Sequence, residues 1–258
     1  MNADQPSCLI LNAGADDSFA IGLQALLSSV LKTELIHFNK KESRQGIPSP
    51  TLTLDVVALK EQLENVDYIV YLPRIPVWSE RLSDLINADY QSLSNVLNIA
   101  LQTQVKKLVF VSDIEAMGSS LRPVVVNEDS LWSGQTKSNE VQKYWYLCEQ
   151  EIARAREEGL SATIVAASQM APIHSEDKIQ YYTTDQHQLA KAVQGMLVSD
   201  LPAFKVFCVD AIDSSAIQKG ESNVSVFRKW LGSKRKPINK LTIDASHSKA
   251  ILDKIINH

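Results

Sequence analysis

Several features that would assign this 258-residue chain to a protein class are sparse or missing. It has only three cysteines, Cys8, Cys148 and Cys208, and none has the Cys-x-x-Cys spacing of zinc or redox sites. The first and last lie in apolar runs, which predicts buried free thiols. No group of Cys, His, Asp and Glu residues has metal-ligand spacing, so the sequence predicts no bound metal.

Long apolar runs, a leader pattern and an excess of positive charge are also lacking. No stretch approaches the roughly 18 apolar residues that a membrane span needs. The polar start, Met1 to Pro6, lacks the basic and then apolar pattern of a signal peptide. A net charge of −4 and a pI near 5.8 argue against nucleic acid as a partner. The sequence therefore predicts a cytoplasmic protein without a membrane or nucleic-acid partner.

The chain does contain a regular alternation of apolar runs with helical patterns. The strands are expected at 8–12, 34–38, 51–54, 68–72, 108–111, 162–166 and 205–209. The helices are expected at 19–31, 56–64, 82–102, 139–158, 186–197, 224–231 and 246–256. Because the strands are continuously apolar, they indicate a parallel sheet with helices on both faces, a doubly wound Rossmann-type α/β fold. We expect a nucleotide-binding core over residues 1–173 and a small C-terminal substrate lobe, packed on the same domain, over 174–258.

The turn after the first strand is where a Rossmann fold binds phosphate. Glycines are needed there because backbone N–H groups must approach the pyrophosphate closely. Only Gly14 and Gly22 are present, eight residues apart and with no glycine between them. Asp16 and Asp17 place negative charge where phosphate would lie, or else they cap the following helix. The turn therefore leaves open whether a dinucleotide binds at all.

The end of the second strand bears on the type of dinucleotide. An acidic residue there holds the ribose hydroxyls of NAD, whereas a basic residue suits the 2′-phosphate of NADP. The sequence has Asn39 and Lys40 at this point, followed by Lys41 and Arg44. It favours NADP(H) over NAD(H) if either is bound, and the alternative is a solvated lysine pair.

Several motifs, taken in order, resemble the extended, epimerase/dehydratase-like short-chain dehydrogenases/reductases. Leu54-Asp55-Val56 resembles the pair whose aspartate contacts the adenine, and 65–73 resembles the strand that ends, here at Leu72, beside the cofactor. The segment 89–100 resembles the helix written N-x-x-G-T-x-N-x-L-x-A-A, and 105–118 resembles the strand with the active-site turn. The resemblance implies that Asp55, Val56 and Leu72 line a cofactor site. It also implies a homodimer through the helices at 82–102 and 139–158, which exposed aromatic residues of the second helix favour.

The residues that catalyse hydride transfer in that family are replaced. At the position of the serine or threonine that polarises the substrate stands Asp113, with Ser112 one residue earlier. No lysine follows Tyr144 or Tyr146 at the spacing of the family's Tyr-x-x-x-Lys pair, and the asparagine of the N-x-x-G-T helix is Asp89. Ordinary tyrosine-driven hydride transfer is therefore not expected.

Four residues remain candidates for acid/base chemistry: Ser112, Asp113, Tyr144 and Tyr146. Asp113 could share a proton with Glu115, or it could cap the following turn while Glu115 faces water. The two tyrosines and their tryptophan neighbours either line a ligand pocket or pack in the core. Without a lysine nearby, a tyrosine pKa is expected to stay at about 10.

Two functions follow from these patterns. The first is a binding or regulatory protein that responds to NADP(H) and takes a small molecule in the cleft at the carboxyl ends of the strands. The second is an atypical enzyme, an isomerase, dehydratase, cyclase or non-standard reductase, with Asp113 or a tyrosine as the acid/base.

Overall fold

The computed structural model describes residues 5–14, 17–37, 56–74, 81–118, 124–128, 140–168, 172–174, 179–201, 203–212 and 241–256. In chain order the elements are β1 (Ser7–Asn12), α1 (Asp17–Leu27), β2 (Lys32–His37), α2 (Val56–Leu63), β3 (Tyr68–Leu72), α3 (Leu82–Leu85), a π turn (Ile86–Tyr90), α4 (Gln91–Gln102), β4 (Lys107–Asp113), a 3₁₀ turn (Ile114–Met117), β5 (Val124–Val126), α5 (Glu140–Glu157), β6 (Ala162–Ala167), β7 (Pro172–His174), β8 (Ile179–Thr183), α6 (Gln186–Val198), β9 (Lys205–Cys208), β10 (Asp210–Ile212), β11 (Leu241–Ile243) and α7 (Ser246–Ile256).

Six strands form one parallel sheet in the order β2-β1-β3-β4-β6-β9. All six residues of β6 are buried, as are five of the six in β1, which is why both strands are mostly apolar. The chain leaves β1 toward β2 on one side and returns to β3 on the other. The doubly wound Rossmann-type fold expected from the sequence is confirmed, and its switch point lies between β1 and β3.

Helices cover both faces of this sheet. On one face, α2, α4 and α5 bury apolar residues such as Leu63, Leu97 and Ile152 against β1, β3, β4 and β6. On the other face, α1, α6 and α7 contribute residues such as Leu23 and Val193. The expected boundary at residue 173 stays a prediction. The elements β9, α6 and α7, all beyond that residue, complete the main sheet and one of its layers.

Two smaller sheets accompany the main one: β10-β8-β7 is antiparallel, and β11 pairs with β5 in parallel. Among the described helices, none has the length and hydropathy of a membrane span. Within the same residues, no three or more His, Cys, Asp or Glu side chains group as metal ligands.

Some boundaries differ from those expected. The predicted strand at 51–54 and the predicted helix at 224–231 lie outside the described residues. The first helix ends at Leu27 rather than at residue 31, because the hydroxyls of Ser28 and Ser29 donate back to the carbonyls of Gln24 and Leu26. The predicted helix at 82–102 is divided by the π turn.

The aromatic residues of α5 do not form the exposed surface expected of them. Tyr144 and Trp145 are buried in the core, and Tyr146 is half-buried. That argument for a homodimer is therefore wrong, because Tyr144 and Trp145, two of the residues it relies on, are buried in the core. The dimer itself stays a prediction.

Candidate functional site

The switch-point crevice lies at the carboxyl ends of β1 and β3, where open α/β sheets bind their ligands. Asn12 and Leu72, the last residues of the two strands, are paired in register. The backbone N–H of Ala13 donates to the carbonyl of Leu72 over 2.8 Å, which joins the first turn to the end of β3. The side chain of Leu72, a predicted cofactor residue, is buried in the core.

Gly14 lies in this crevice, and its backbone conformation favours glycine. Its φ is +121°, in the region that residues with a Cβ rarely adopt. A Cβ at this position would lie 3.3 to 3.6 Å from the Cγ, Cβ and Cδ atoms of Arg74. The backbone N–H of Gly14 donates to the Oδ1 of Asn12 over 3.0 Å. The nitrogen that could meet a phosphate is thus bonded within the chain.

The second predicted glycine, Gly22, lies elsewhere. It is on the exposed face of α1, and a Cβ added there would meet no atom within 4 Å. A residue with a larger side chain would therefore fit at this position.

Three polar side chains meet beside Gly14, at the ends of β1 and β2 and the start of α1. The Nδ2 of Asn12 lies 3.3 Å from the Oδ1 of Asp17 and 3.2 Å from the Nδ1 of His37. The same Asp17 oxygen lies 3.1 Å from the His37 ring nitrogen. Because a helix N-terminus favours negative charge, the Asp17 carboxylate lies where an anionic ligand would be stabilised. The sequence prediction missed Asn12 and His37, although both end adjacent strands.

An ion pair crosses the other side of the crevice. The Nε of Arg74 lies 2.9 Å from the Oδ2 of Asp89, whose side chain is only 2% exposed. Arg74 follows β3 by two residues, and Asp89 belongs to the π turn that precedes α4. The replacement at position 89 was noted in the sequence, but its partner Arg74 was missed.

At the end of β4, Asp113 acts as a helix cap. It is buried, and its Oδ1 accepts a hydrogen bond from the backbone N–H of Glu115 over 2.8 Å. The expectation that Glu115 faces water is wrong: the residue is half-buried, and its Oε2 accepts a hydrogen bond from Gln142 over 2.9 Å. Burial raises the pKa of Glu115, and the bond from Gln142 offsets part of the rise.

Ser112 belongs to a buried network that the sequence did not suggest. Its hydroxyl donates to the Oε1 of Glu149 over 2.7 Å. The other carboxylate oxygen of Glu149 lies 2.6 Å from the Nζ of Lys205, whose side chain is 4% exposed. The same ammonium lies 3.3 Å from the sulfur of Met117. The sequence did contain one sign of this network, because Lys205 is a charged residue in the otherwise apolar strand β9.

The two tyrosines of α5 differ in their surroundings. Tyr144 is buried, with its ring 5.3 Å from that of Trp145. Burial raises the pKa of Tyr144 well above its ordinary value, and the nearby Cys148 and Asp89 raise it further. The expectation of a pKa of about 10 is therefore wrong for this residue. Tyr146 is half-buried on the same helix.

The remaining predicted cofactor residues are not brought to the crevice by any described contact. Asn39, Lys40 and Asp55 lie outside the described residues, and Val56 is the first residue of α2. Their roles stay predictions.

Neither a family model nor a curated protein matches the sequence. Solved structures do match over nearly the whole chain. A short-chain dehydrogenase/reductase superfamily protein from Agrobacterium tumefaciens with bound NAD is 12% identical, with a TM-score of 0.69, and the match covers 97% of this chain and 95% of that one. The UDP-glucuronic acid 4-epimerase from Bacillus cereus in complex with NAD is 13% identical, with a TM-score of 0.64 and coverages of 96% and 90%. The terminal R domain of the myxalamid biosynthetic pathway is 12% identical, with a TM-score of 0.67 and coverages of 99% and 78%.

At these identities the similarity establishes the fold. The chain has the fold of the extended, epimerase/dehydratase-like short-chain dehydrogenases/reductases, as its motifs led us to expect. The described residues around this turn are not arranged to receive a pyrophosphate. The Gly14 N–H is bonded to Asn12, Arg74 covers the glycine, and Asp17 supplies negative charge at the helix start.

Proposed function

We propose that the protein is a binding or regulatory protein that takes a nicotinamide dinucleotide, NADP(H) in preference to NAD(H), and performs no tyrosine-driven hydride transfer. The NAD complexes among its structural neighbours support the cofactor class. The basic residues expected after the second strand, Lys40 above all, support the phosphorylated form.

One observation carries the absence of hydride transfer: three of the four candidate side chains are engaged within the protein. A general acid must reach the substrate with a suitable pKa. Tyr144 is buried with a raised pKa, Asp113 caps a turn, and the Ser112 hydroxyl is bonded to Glu149. Tyr144 therefore packs in the core, Asp113 stabilises a turn, and Ser112 is bonded to a carboxylate that also forms an ion pair with Lys205.

Titrations with NADPH, NADP+, NADH and NAD+, followed by calorimetry and thermal unfolding, test the cofactor. A ligand at one hundred times its dissociation constant stabilises the fold by about 2.7 kcal/mol. We expect stabilisation by the two phosphorylated forms and weaker effects of the other two. Equal responses to all four would contradict the preference, and no response to any would defeat the proposal.

NADPH oxidation in the presence of a panel of carbonyl compounds tests the chemistry. We expect no turnover above the rate without protein. Turnover that Tyr144→Phe abolishes, with the dissociation constant for NADPH unchanged, would identify a working tyrosine and overturn the assignment.

A second candidate is acid/base catalysis at the end of β4, favoured by the burial that raises the pKa of Glu115 beside Asp113. UDP-sugars are a suitable panel because a structural neighbour is a UDP-glucuronic acid 4-epimerase. If such an activity is found, Glu115→Gln or Asp113→Asn should lower it by about 10²- to 10⁴-fold. A binding protein should show no activity and should keep its dinucleotide affinity in both variants.

A further inference from the structure

The side chain of Arg74 crosses the switch-point crevice from one strand to the other. Arg74 lies two residues beyond the end of β3, and the Gly14 on which its carbons pack lies two residues beyond the end of β1. Since β1 and β3 are the strands between which the chain reverses direction, the arginine stem occupies the place where doubly wound sheets bind ligands.

Asp89 holds the arginine in this position. Its carboxylate is almost fully buried, and its charge contributes to raising the pKa of Tyr71 and Tyr144 after their burial. A buried carboxylate without a cation is costly, so Asp89 favours the conformation in which the Arg74 guanidinium stays beside it. The pair therefore fixes the stem over Gly14.

The arginine stem covers one side of Gly14, in the turn where a Rossmann fold binds phosphate. Glycine in this turn lets a phosphate approach the backbone, and the atoms within 3.3 to 3.6 Å of a Cβ on Gly14 all belong to Arg74. A phosphate that approached the Gly14 backbone from this side would meet the Arg74 stem.

We propose that Arg74 and Asp89 form a latch that closes the switch-point crevice, so that a dinucleotide binds only when Arg74 moves off Gly14. This inference rests on the proposed dinucleotide binding and assigns the pair that sets its affinity. The apparent dissociation constant is the intrinsic one divided by the fraction of molecules with the latch open. Loosening the latch therefore tightens binding.

Calorimetric titration with NADPH of the whole protein and three variants tests the latch. Asp89→Asn keeps the shape of the side chain and removes the charge that holds Arg74. The double variant Arg74→Ala/Asp89→Asn removes both partners, so that no buried charge is left unpaired. Lys106→Ala is the matched control, because it removes one positive charge from an exposed ion pair with Asp67, at the amino ends of β3 and β4.

We expect Asp89→Asn and the double variant to bind NADPH at least about tenfold more tightly than the parent. A minor state is typically populated at about 0.1–10%. Because the apparent dissociation constant is the intrinsic one divided by that open fraction, full opening would lower it by about tenfold or more. Lys106→Ala should bind like the parent. Unchanged affinity in the two latch variants would overturn the latch and leave the dinucleotide proposal standing. Weaker binding by the double variant would overturn it too, by making Arg74 a ligand contact. No binding by the parent or any variant, each with a cooperative unfolding transition, would defeat dinucleotide binding and the latch together.

Discussion

Single residues in this chain carry charge into places that a hydropathy pattern assigns to the core. Lys205 begins β9, and Glu149 lies on α5 near the buried positions Tyr144, Cys148 and Ile152. The two charges meet inside the protein, 2.6 Å apart. Such a pair gains little over apolar packing, but losing one partner leaves the other charge buried.

Replacing Lys205 by Met is expected to lower the free energy of unfolding by about 3–5 kcal/mol, because Glu149 then keeps a largely buried charge without its cation. The double variant Lys205→Met/Glu149→Gln should recover most of the loss. Urea unfolding of the parent and both variants measures the two differences. Equal losses in the single and double variants would mean that the two charges are not coupled.

Whether a site residue could be identified from the sequence depended on how near its partners lie in the sequence. Asp113 was identified because its position after a strand is visible in the sequence, and the capping alternative needed only the residue two positions on. Arg74 was missed because its partners are Gly14, sixty residues earlier, and Asp89. Lys205 was missed because Glu149 lies on another element. Pairs of this kind are made by the fold and leave no local pattern.

At the scale of elements, one carboxylate joins the two long helices. Glu151 on α5 accepts hydrogen bonds from Tyr90, the last residue of the π turn, from Ser94 of α4 and from Arg154 on its own helix, at 3.1, 2.9 and 2.8 Å. Burial alone would raise the pKa of Glu151, but these bonds outweigh burial and lower it. The carboxylate is therefore more stable in the folded protein than in the unfolded chain.

Glu151→Gln should lower the free energy of unfolding at pH 7 by about 1.5–3 kcal/mol, the range for hydrogen bonds to charged groups. Because the pKa is lowered on folding, the unfolded chain binds the proton first. The contribution of Glu151 is thus complete above its ordinary pKa of 4.5 and is lost as the pH falls through the lowered value. Urea unfolding between pH 3 and 7 should show a steeper acid loss in the parent than in the variant.

Glu158→Gln is the matched control for this prediction. Glu158 pairs with the same Arg154 over 2.6 Å, but its side chain is 48% exposed. A loss of about 0–1 kcal/mol is expected there. If both substitutions cost the same at pH 7, the bridge between α4 and α5 has no special role.

The elements themselves were predictable where one physical cause dominates. Continuous apolar sequence made β1 and β6 recognisable as parallel strands, and right-handed crossovers then predicted a doubly wound sheet. The π turn at Ile86–Tyr90 was not predictable, because periodicity over 82–102 describes one helix. The buried Asp89 in that turn is paired with an arginine from before the helix.

At the scale of the whole molecule, the last third of the chain completes the core. Leu189, Val193 and Met196 of α6, Val206 of β9 and Leu252 of α7 are buried in the cluster that covers the α1 face of the sheet. Each such side chain contributes about 1.5–3 kcal/mol when it is buried. Together they match the whole stability of an ordinary domain, about 5–15 kcal/mol.

A chain that ends at residue 173, the expected domain boundary, should therefore not fold as a unit. We expect it to bind a hydrophobic dye and to unfold in urea without a cooperative transition, because β6 loses its neighbour β9 and the α1 face loses most of its cover. A chain that ends at residue 256 keeps α7 and should unfold like the full protein. A cooperative transition of the 173-residue chain, with a slope in proportion to its length, would instead make residues 1–173 an independent domain. The switch-point crevice would then belong to that domain alone, since Gly14, Arg74 and Asp89 all precede the boundary.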